Sequence, residues 1–365
     1  MKAIIAKRVG MFELFFDLVF VYAISKIAVM IHHPVNGVLP AVNYFQFLLV
    51  VVVVMQVWLY QVLYFNRYGK DRLGDIAGLI VEMFVMVYLS NNINTDWHIT
   101  FEYFNIAMAV MIVDLLLQYA LGNSKDKQSD HRVFIYTLAI ELALIIAGLF
   151  LGYDVGVYFA IVGYLVGFLL PIVLYKKFNA ANINFPHLVE RVSLIIIIAF
   201  GEAVVNIASY FTKNIPLHLP ILVFASLVLM FATYVIEVDN FIEEKQYNKG
   251  FILMYSHVAL VATILSITVG FVYLNMNHVN KTFVALFLAV AVAIYYLFIL
   301  TLSVYNKAKF QLNMINILTT CVCLIAGIIL FYLLRNSQTG LLIVLLVLNV
   351  IIFGQYYLKK KQRSN

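Results

Sequence analysis

Twelve runs of about 20 mostly apolar residues, each long enough to cross a ~30 Å hydrocarbon core as an α-helix, follow one another along this chain. They lie at approximately 12–31, 42–65, 74–92, 100–120, 132–151, 155–176, 188–211, 217–239, 250–274, 282–305, 311–334 and 340–358. Backbone polar groups in hydrocarbon must satisfy one another within the segment, which a helix does. The connectors are short and rich in turn formers, as in His33-Pro34-Val35-Asn36-Gly37, Gly122-Asn123-Ser124, Asn214-Ile215-Pro216 and Asn336-Ser337-Gln338. None has room for a soluble domain. The expected fold class is all-α, a polytopic membrane helix bundle of about twelve transmembrane helices. Composition agrees: 64% of the residues are hydrophobic and 12% charged, where a soluble chain has roughly 25% charged.

Lysine and arginine set the orientation. With the N-terminus inside, twenty of the 24 basic residues fall on the cytoplasmic side. They are Lys2, Lys7, Arg8, Arg67, Lys70, Arg72, Lys125, Lys127, Arg132, Lys176, Lys177, Arg191, Lys245, Lys249, Lys307, Lys309, Lys359, Lys360, Lys361 and Arg363. Only Lys213, Lys281 and Arg335 fall outside, and Lys26 lies within the first span. Both termini are therefore expected in the cytoplasm. The net charge of +6 is a topology signal, and no nucleic-acid partner is expected. Nor is a cleavable leader, because the first apolar run carries Glu13, Asp17 and Lys26.

The first and seventh spans share a pattern. Arg8 precedes Asp17 and Arg191 precedes Glu202, and the text after each acid runs Leu-Val-Phe-Val-Tyr-Ala-Ile-Ser and Ala-Val-Val-Asn-Ile-Ala-Ser. Six spans separate the two, an even number, so a parallel 6+6 repeat is expected, one of the known plans of membrane transporters. Its halves would be residues 1–180 and 181–365.

An ionisable side chain inside a span costs about 2.5–3.5 kcal/mol on insertion scales and so marks a pairing, a cavity or a pathway. Asp17 and Glu202 are the leading ion- or substrate-binding candidates. Counted at 1.5 Å per residue from Arg8, and from an Arg191 placed at the interface, both acids approach the midplane. Glu13 shares a face with Asp17 at i, i+4, and Arg191, Glu202, Asn206 and Ser209 share one side of the seventh span. Lys26 is expected to reach the outer surface. Glu82, Asp114, Glu141 and His257 are secondary candidates, which structural bonding between helices would equally explain.

Neither a metal nor another cofactor is expected. Cys321 and Cys323 form a Cys-x-Cys pair without a second ligand pair, and read as packing residues. His32, His33, His98, His218 and His278 all fall on the outer side, with no carboxylate or thiolate cluster beside them.

The run Phe12-Glu13-Leu14-Phe15-Phe16-Asp17-Leu18-Val19-Phe20-Val21, preceded by Arg8, resembles the opening of the bacterial low temperature requirement A (LtrA) family. Glu190-Arg191, followed by Ala199-Phe200-Gly201-Glu202, is similar to that family's second signature. The resemblance in hydropathy extends over nearly the whole chain. It implies a multi-pass protein of the bacterial cytoplasmic membrane, linked by name to growth in the cold, and it implies no substrate. Members are richer in tryptophan, and with only Trp58 and Trp97 no ring-specific role is expected here.

The function expected is a secondary transporter or ion-conducting protein, with membrane lipids and a small solute or ion as partners and no catalytic residue. One alternative is a lipid-associated protein that supports the membrane in the cold without moving a solute. The other is a membrane enzyme acting on a lipid or isoprenoid. For that reading Asp71 and Asp75 would hold magnesium on a diphosphate, with Glu237, Asp239, Glu243 and Glu244 in the equivalent loop of the second half. The sequence sets no oligomeric state.

Overall fold

The computed structural model describes residues 5–70, 72–122 and 129–364. Lys2, Asp71, Asn123, Ser124, Lys125 and Lys127 lie outside the described residues, as does the Arg363 side chain. Among the described residues there are twelve α-helices and no named strand. In order they are α1 (Met11–Val29), α2 (Ala41–Arg67), α3 (Leu73–Asn91), α4 (Trp97–Gly122), α5 (Ser129–Leu151) and α6 (Tyr153–Val173), followed by α7 (Phe185–Ile207), α8 (His218–Val235), α9 (Phe251–Leu274), α10 (Lys281–Leu302), α11 (Met314–Leu333) and α12 (Gln338–Ser364). Eleven of these are long and apolar enough to cross a membrane. The remaining one, α1, has the length but carries Glu13, Asp17 and Lys26.

The lipid-facing side is legible in single helices. On α11 the buried residues Thr320, Leu324, Gly327 and Phe331 form one stripe at spacings of three and four, while Ile315, Leu318, Val322, Ile325, Ile329 and Leu333 are exposed. In water such a surface would aggregate; in a bilayer it is the solvated face. The chain is an integral, multi-pass membrane protein.

It forms two compact units. The first comprises Met1–Met30, Val42–Leu194 and Lys245–Met254. Here α1 packs on α3, α3 on α4, α4 on α5 and α5 on α6, and α2 is buried on nearly every side from Val53 to Asn66. An all-round apolar helix belongs in a core, yet α2 carries six polar or aromatic hydrogen-bonding side chains there, and each reaches a different neighbour. Gln56 donates to Glu141 on α5, Trp58 to Asp17 on α1, and Tyr60 to the Gly167 carbonyl on α6. Gln61 donates to Gln118 on α4, Tyr64 to Asp75 on α3, and Asn66 to the Asn184 carbonyl just before α7. The helix is a spine whose polar bonds fix the rotation of the helices around it, where apolar packing alone would tolerate slippage.

The second unit comprises Ile31–Ala41, Ile195–Glu244 and Tyr255–Asn365. Its α8 packs on α12, and α11 on both α10 and α12. Asn349 on α12 joins three helices, accepting from Tyr296 on α10 and donating to the Ser226 carbonyl on α8. The connector before α2 makes a two-residue turn, with Val35 and Val38 exchanging both backbone bonds. Asn36 and Gly37 at its tip have φ of 51° and 80°, the left-handed pair that a type I′ turn requires.

Candidate functional site

The first unit brings two helical i, i+4 pairs face to face. Glu13 and Asp17 stand one turn apart on α1, and His187 and Arg191 one turn apart on α7. Glu13 is the third residue of α1 and accepts from the backbone N–H of Gly10 at 3.1 Å, so it caps the helix while facing inward. Arg191 donates through Nη1 to Glu13 Oε2, and through Nη2 to Asp17 Oδ1 at 2.7 Å. Asp17 Oδ1 also accepts from the Trp58 indole at 2.7 Å. His187 Nε2 lies 3.3 Å from Glu13 Oε2.

Asn66 settles the ring of His187. Its Oδ1 accepts from Asn184 N, so Nδ2 is its donor, 3.1 Å from His187 Nδ1. Nδ1 is therefore an acceptor, and the remaining ring proton of a neutral imidazole sits on Nε2, toward Glu13. The result is a polar cluster of Asn66, His187, Glu13, Arg191, Asp17 and Trp58, hydrogen-bonded from Glu13 through Arg191 and Asp17 to Trp58, with His187 3.3 Å from Glu13. Arg191, Glu13 and Asp17 are 1–2% exposed, a depth at which guanidinium and carboxylate persist only as partners. Asp17 Oδ2, Arg191 Nε and His187 Nε2 have no hydrogen-bond partner among the described residues, so His187 meets Glu13 by proximity rather than by a formed hydrogen bond. Two carboxylates against one guanidinium leave a surplus negative charge, which a proton or a cation would balance.

Glu202 and Asn206 form a separate pair. Asn206 donates to the Glu202 side chain at 2.8 Å and to its carbonyl at 3.0 Å, both within α7. Ser209, expected on the same polar stripe, is exposed. Arg191 is the seventh residue of α7, which begins at Phe185, and Glu202 stands eleven residues further along the same span, Phe185–Tyr210. Asp17 is held by a residue of the seventh span, whereas Glu202 bonds to its own helix.

The secondary candidates scatter. Glu141 receives Gln56 Nε2 at 2.7 Å on each carboxylate oxygen. Asp114 accepts from Gln118, which in turn accepts from Gln61. Glu82 is fully buried and neither of its oxygens has a partner among the described residues. His257, in the second unit, pairs with the Tyr234 hydroxyl at 2.9 Å. No group of three His, Cys, Asp or Glu side chains arranged to hold a metal ion is found among the described residues. Outside the spans, burial and the neighbouring His33 push the His32 imidazole down from its ordinary value.

One expectation is corrected: Trp58 does have a ring-specific role, since its N–H donates to Asp17. Of the acids considered for a magnesium-holding loop, Asp71 lies outside the described residues, and Asp75 accepts from Tyr64 and from the backbone of Lys70 and Arg72 at the start of α3. Glu237 and Asp239 lie in a π-helical turn, Ile236–Phe241, that continues α8. His187 and Asn66 escaped the sequence reading altogether. For His187 a signal existed, because four residues before Arg191 it must share that residue's face.

The sequence matches the family model described as bacterial low temperature requirement A protein (LtrA) over residues 8–352. No individual curated protein matches the chain. The matched stretch takes in α1 through most of α12, including every side chain of the polar cluster from Asn66 to Trp58. The protein therefore belongs to the bacterial low temperature requirement A (LtrA) family.

Proposed function

We propose that this protein is a secondary transporter or ion-conducting protein of the bacterial cytoplasmic membrane, with Asp17 at the centre of its ion-binding site. The observation that carries this reading is the surplus carboxylate of the sealed Glu13–Arg191–Asp17 cluster, with Asp17 Oδ2 unpartnered at 2% exposure of its residue. A buried acid beside a guanidinium has two alternative partners, the fixed cation and a mobile one. A proton or small cation arriving at Asp17 weakens its hold on Arg191, whose other hydrogen bond to Glu13 keeps it from being stranded. Trp58 and His187 orient the two carboxylates. Glu202, with Asn206 on its carboxylate, is the second ion-binding acid, eleven residues further along α7.

The distribution of lysine and arginine supports cytoplasmic termini. The shared pattern around Asp17 and Glu202 supports a parallel repeat. Membrane lipids and a small cationic solute or ion are the partners of this reading, and no reaction is assigned to the chain.

Reconstituted liposomes loaded with a pH dye, placed in turn under proton, sodium and potassium gradients, test it. Flux in the wild-type protein that is lost in both Asp17→Asn and Glu202→Gln, each still monodisperse, is the expected result. Flux unaffected by either substitution overturns the site. One observation favours a second reading: Arg191 already has two carboxylate partners, as a purely structural lock would. A lipid-associated protein built on such a lock loses thermal stability in Asp17→Asn and moves no ion under any gradient.

A further inference from the structure

A second pair of acids lies on α3 and α4, outside the cluster built around Arg191. Glu82 is the fully buried member, at 0% exposure, and neither carboxylate oxygen has a hydrogen-bond partner among the described residues. One turn earlier on the same face of α3 is Gly78. A Cβ there would stand 2.2 Å from Gln118 Nε2 and 3.2 Å from Asp114 Oδ2. The missing side chain is what lets Asp114 and Gln118, one turn apart on α4, fold over α3 beside Glu82. Gln118 donates to Asp114 Oδ2 and accepts from Gln61 at 3.0 Å. One Gln118 N–H is thereby used, and Asp114 is the acid that the gap at Gly78 admits to this face of α3.

The other titratable groups on the helices packed against α3 are engaged elsewhere or, like His98, Glu102 and Tyr103 on α4, exposed. On α1, Glu13 and Asp17 are held by Arg191, and Lys26 sits over the Tyr22 ring at 5.3 Å. On α4, Tyr119 donates to the Tyr60 carbonyl at 2.9 Å. From α2, Tyr64 donates to Asp75. No cation faces Glu82 from these groups. An ionised carboxylate there would be a desolvated charge with neither counter-ion nor donor, which a protein avoids by keeping the group neutral. Two acids are also too few protein oxygens for a calcium ion, which takes six to eight.

We propose that Glu82 and Asp114 form a second, proton-binding site, in which Glu82 carries the proton and Asp114 is the neighbouring acid. The site is independent of the Asp17 cluster, and its proton can be held whether or not the protein transports an ion.

Infrared spectroscopy of the purified protein in lipid at neutral pH tests it, through the carbonyl stretch that only a protonated carboxyl shows. The wild-type protein is compared with the same protein made with carbon-13 glutamate, which needs no substitution. A protonated-carboxyl band that moves with the isotope is expected, and its absence overturns the proposal. Glu82→Gln should then remove one component of that band while Glu141→Gln leaves the same component in place. A spectrum unchanged by Glu82→Gln, in a variant with native amide bands, overturns it as well. Asp114→Asn should shift the frequency of the Glu82 component, because it changes the neighbouring acid. An unshifted component overturns the pairing.

Discussion

Arg191 Nη2 stands 2.7 Å from Asp17 Oδ1 while Nη1 of the same guanidinium binds Glu13, so one cation on α7 holds two acids a helical turn apart on α1. Replacing Arg191 with Met would leave two buried carboxylates facing each other without a counter-charge. Breaking a buried pair in this way costs about 3–5 kcal/mol. Arg191→Met should therefore lower the thermal unfolding midpoint in detergent sharply. The triple variant Glu13→Gln, Asp17→Asn, Arg191→Met removes every charge at once and should regain most of the loss. Equal midpoints for Arg191→Met and the wild-type protein would refute the clamp.

Trp58 donates to the same Asp17 oxygen from the opposite helix. Trp58→Phe keeps the ring and deletes the N–H, so it isolates the hydrogen bond. A bond to a charged acceptor contributes about 1.5–3 kcal/mol, and that loss is expected in chemical or thermal denaturation. Since Trp97 is the other indole, Trp97→Phe leaves Trp58 as the sole tryptophan reporter. In that background Asp17→Asn should shift the fluorescence emission, because the charge accepting from the indole is gone. Emission indifferent to Asp17→Asn would mean the two side chains do not meet.

The twelve helices were legible because lipid imposes a crude, length-dependent rule, and α2 to α12 each obey it. The unusual acids were legible for the opposite reason: Glu13 and Asp17 violate that rule. What the sequence could not disclose was who meets whom. The likeness of Arg191 to Arg8 invites each arginine to be read with the acid of its own span, yet Arg191 binds the acids of the first. The start of α7 at Phe185, after a 3₁₀ turn, was not legible as a charge boundary, because Arg191 lies six residues inside the helix. Trp58 was undervalued because abundance says nothing about a single ring's partner. The polar spine of α2 was invisible because Gln56, Gln61 and Asn66 are unremarkable residues whose meaning comes from what faces them.

The turn before α2 offers a test of a local rule. Gly37 has φ of 80°, and a Cβ on it would stand 3.1 Å from the His278 carbonyl. Its own carbonyl accepts from Asn280 N at 2.8 Å, just before α10. Gly37→Ala combines the left-handed penalty of roughly 1–2 kcal/mol with that close approach and should lower stability. Asn36→Gly, at the other tip position, keeps the turn accessible and should change the midpoint little. A Gly37→Ala protein as stable as the Asn36→Gly protein would show that the turn is not held in this form.

Gly167 on α6 is the condition for the contact between Glu141 and Gln56. A Cβ at that position would lie 2.1 Å from Glu141 Oε2 and 2.3 Å from Gln56 Nε2. The carboxylate is fully buried and takes both its bonds from that one amide, so neither side chain can withdraw without leaving the other unsatisfied. Gly167→Ala should therefore cost more than an ordinary overpacking substitution of about 1–3 kcal/mol. Glu141→Ala opens the space that the new methyl needs and removes the acid whose bonds it would break. The double variant Gly167→Ala, Glu141→Ala should then be less destabilised than the sum of its two singles, by about 0.5–3 kcal/mol of coupling. Strict additivity in a thermal or denaturant series would mean that α5 and α6 approach elsewhere, and that Gln56 does not hold Glu141.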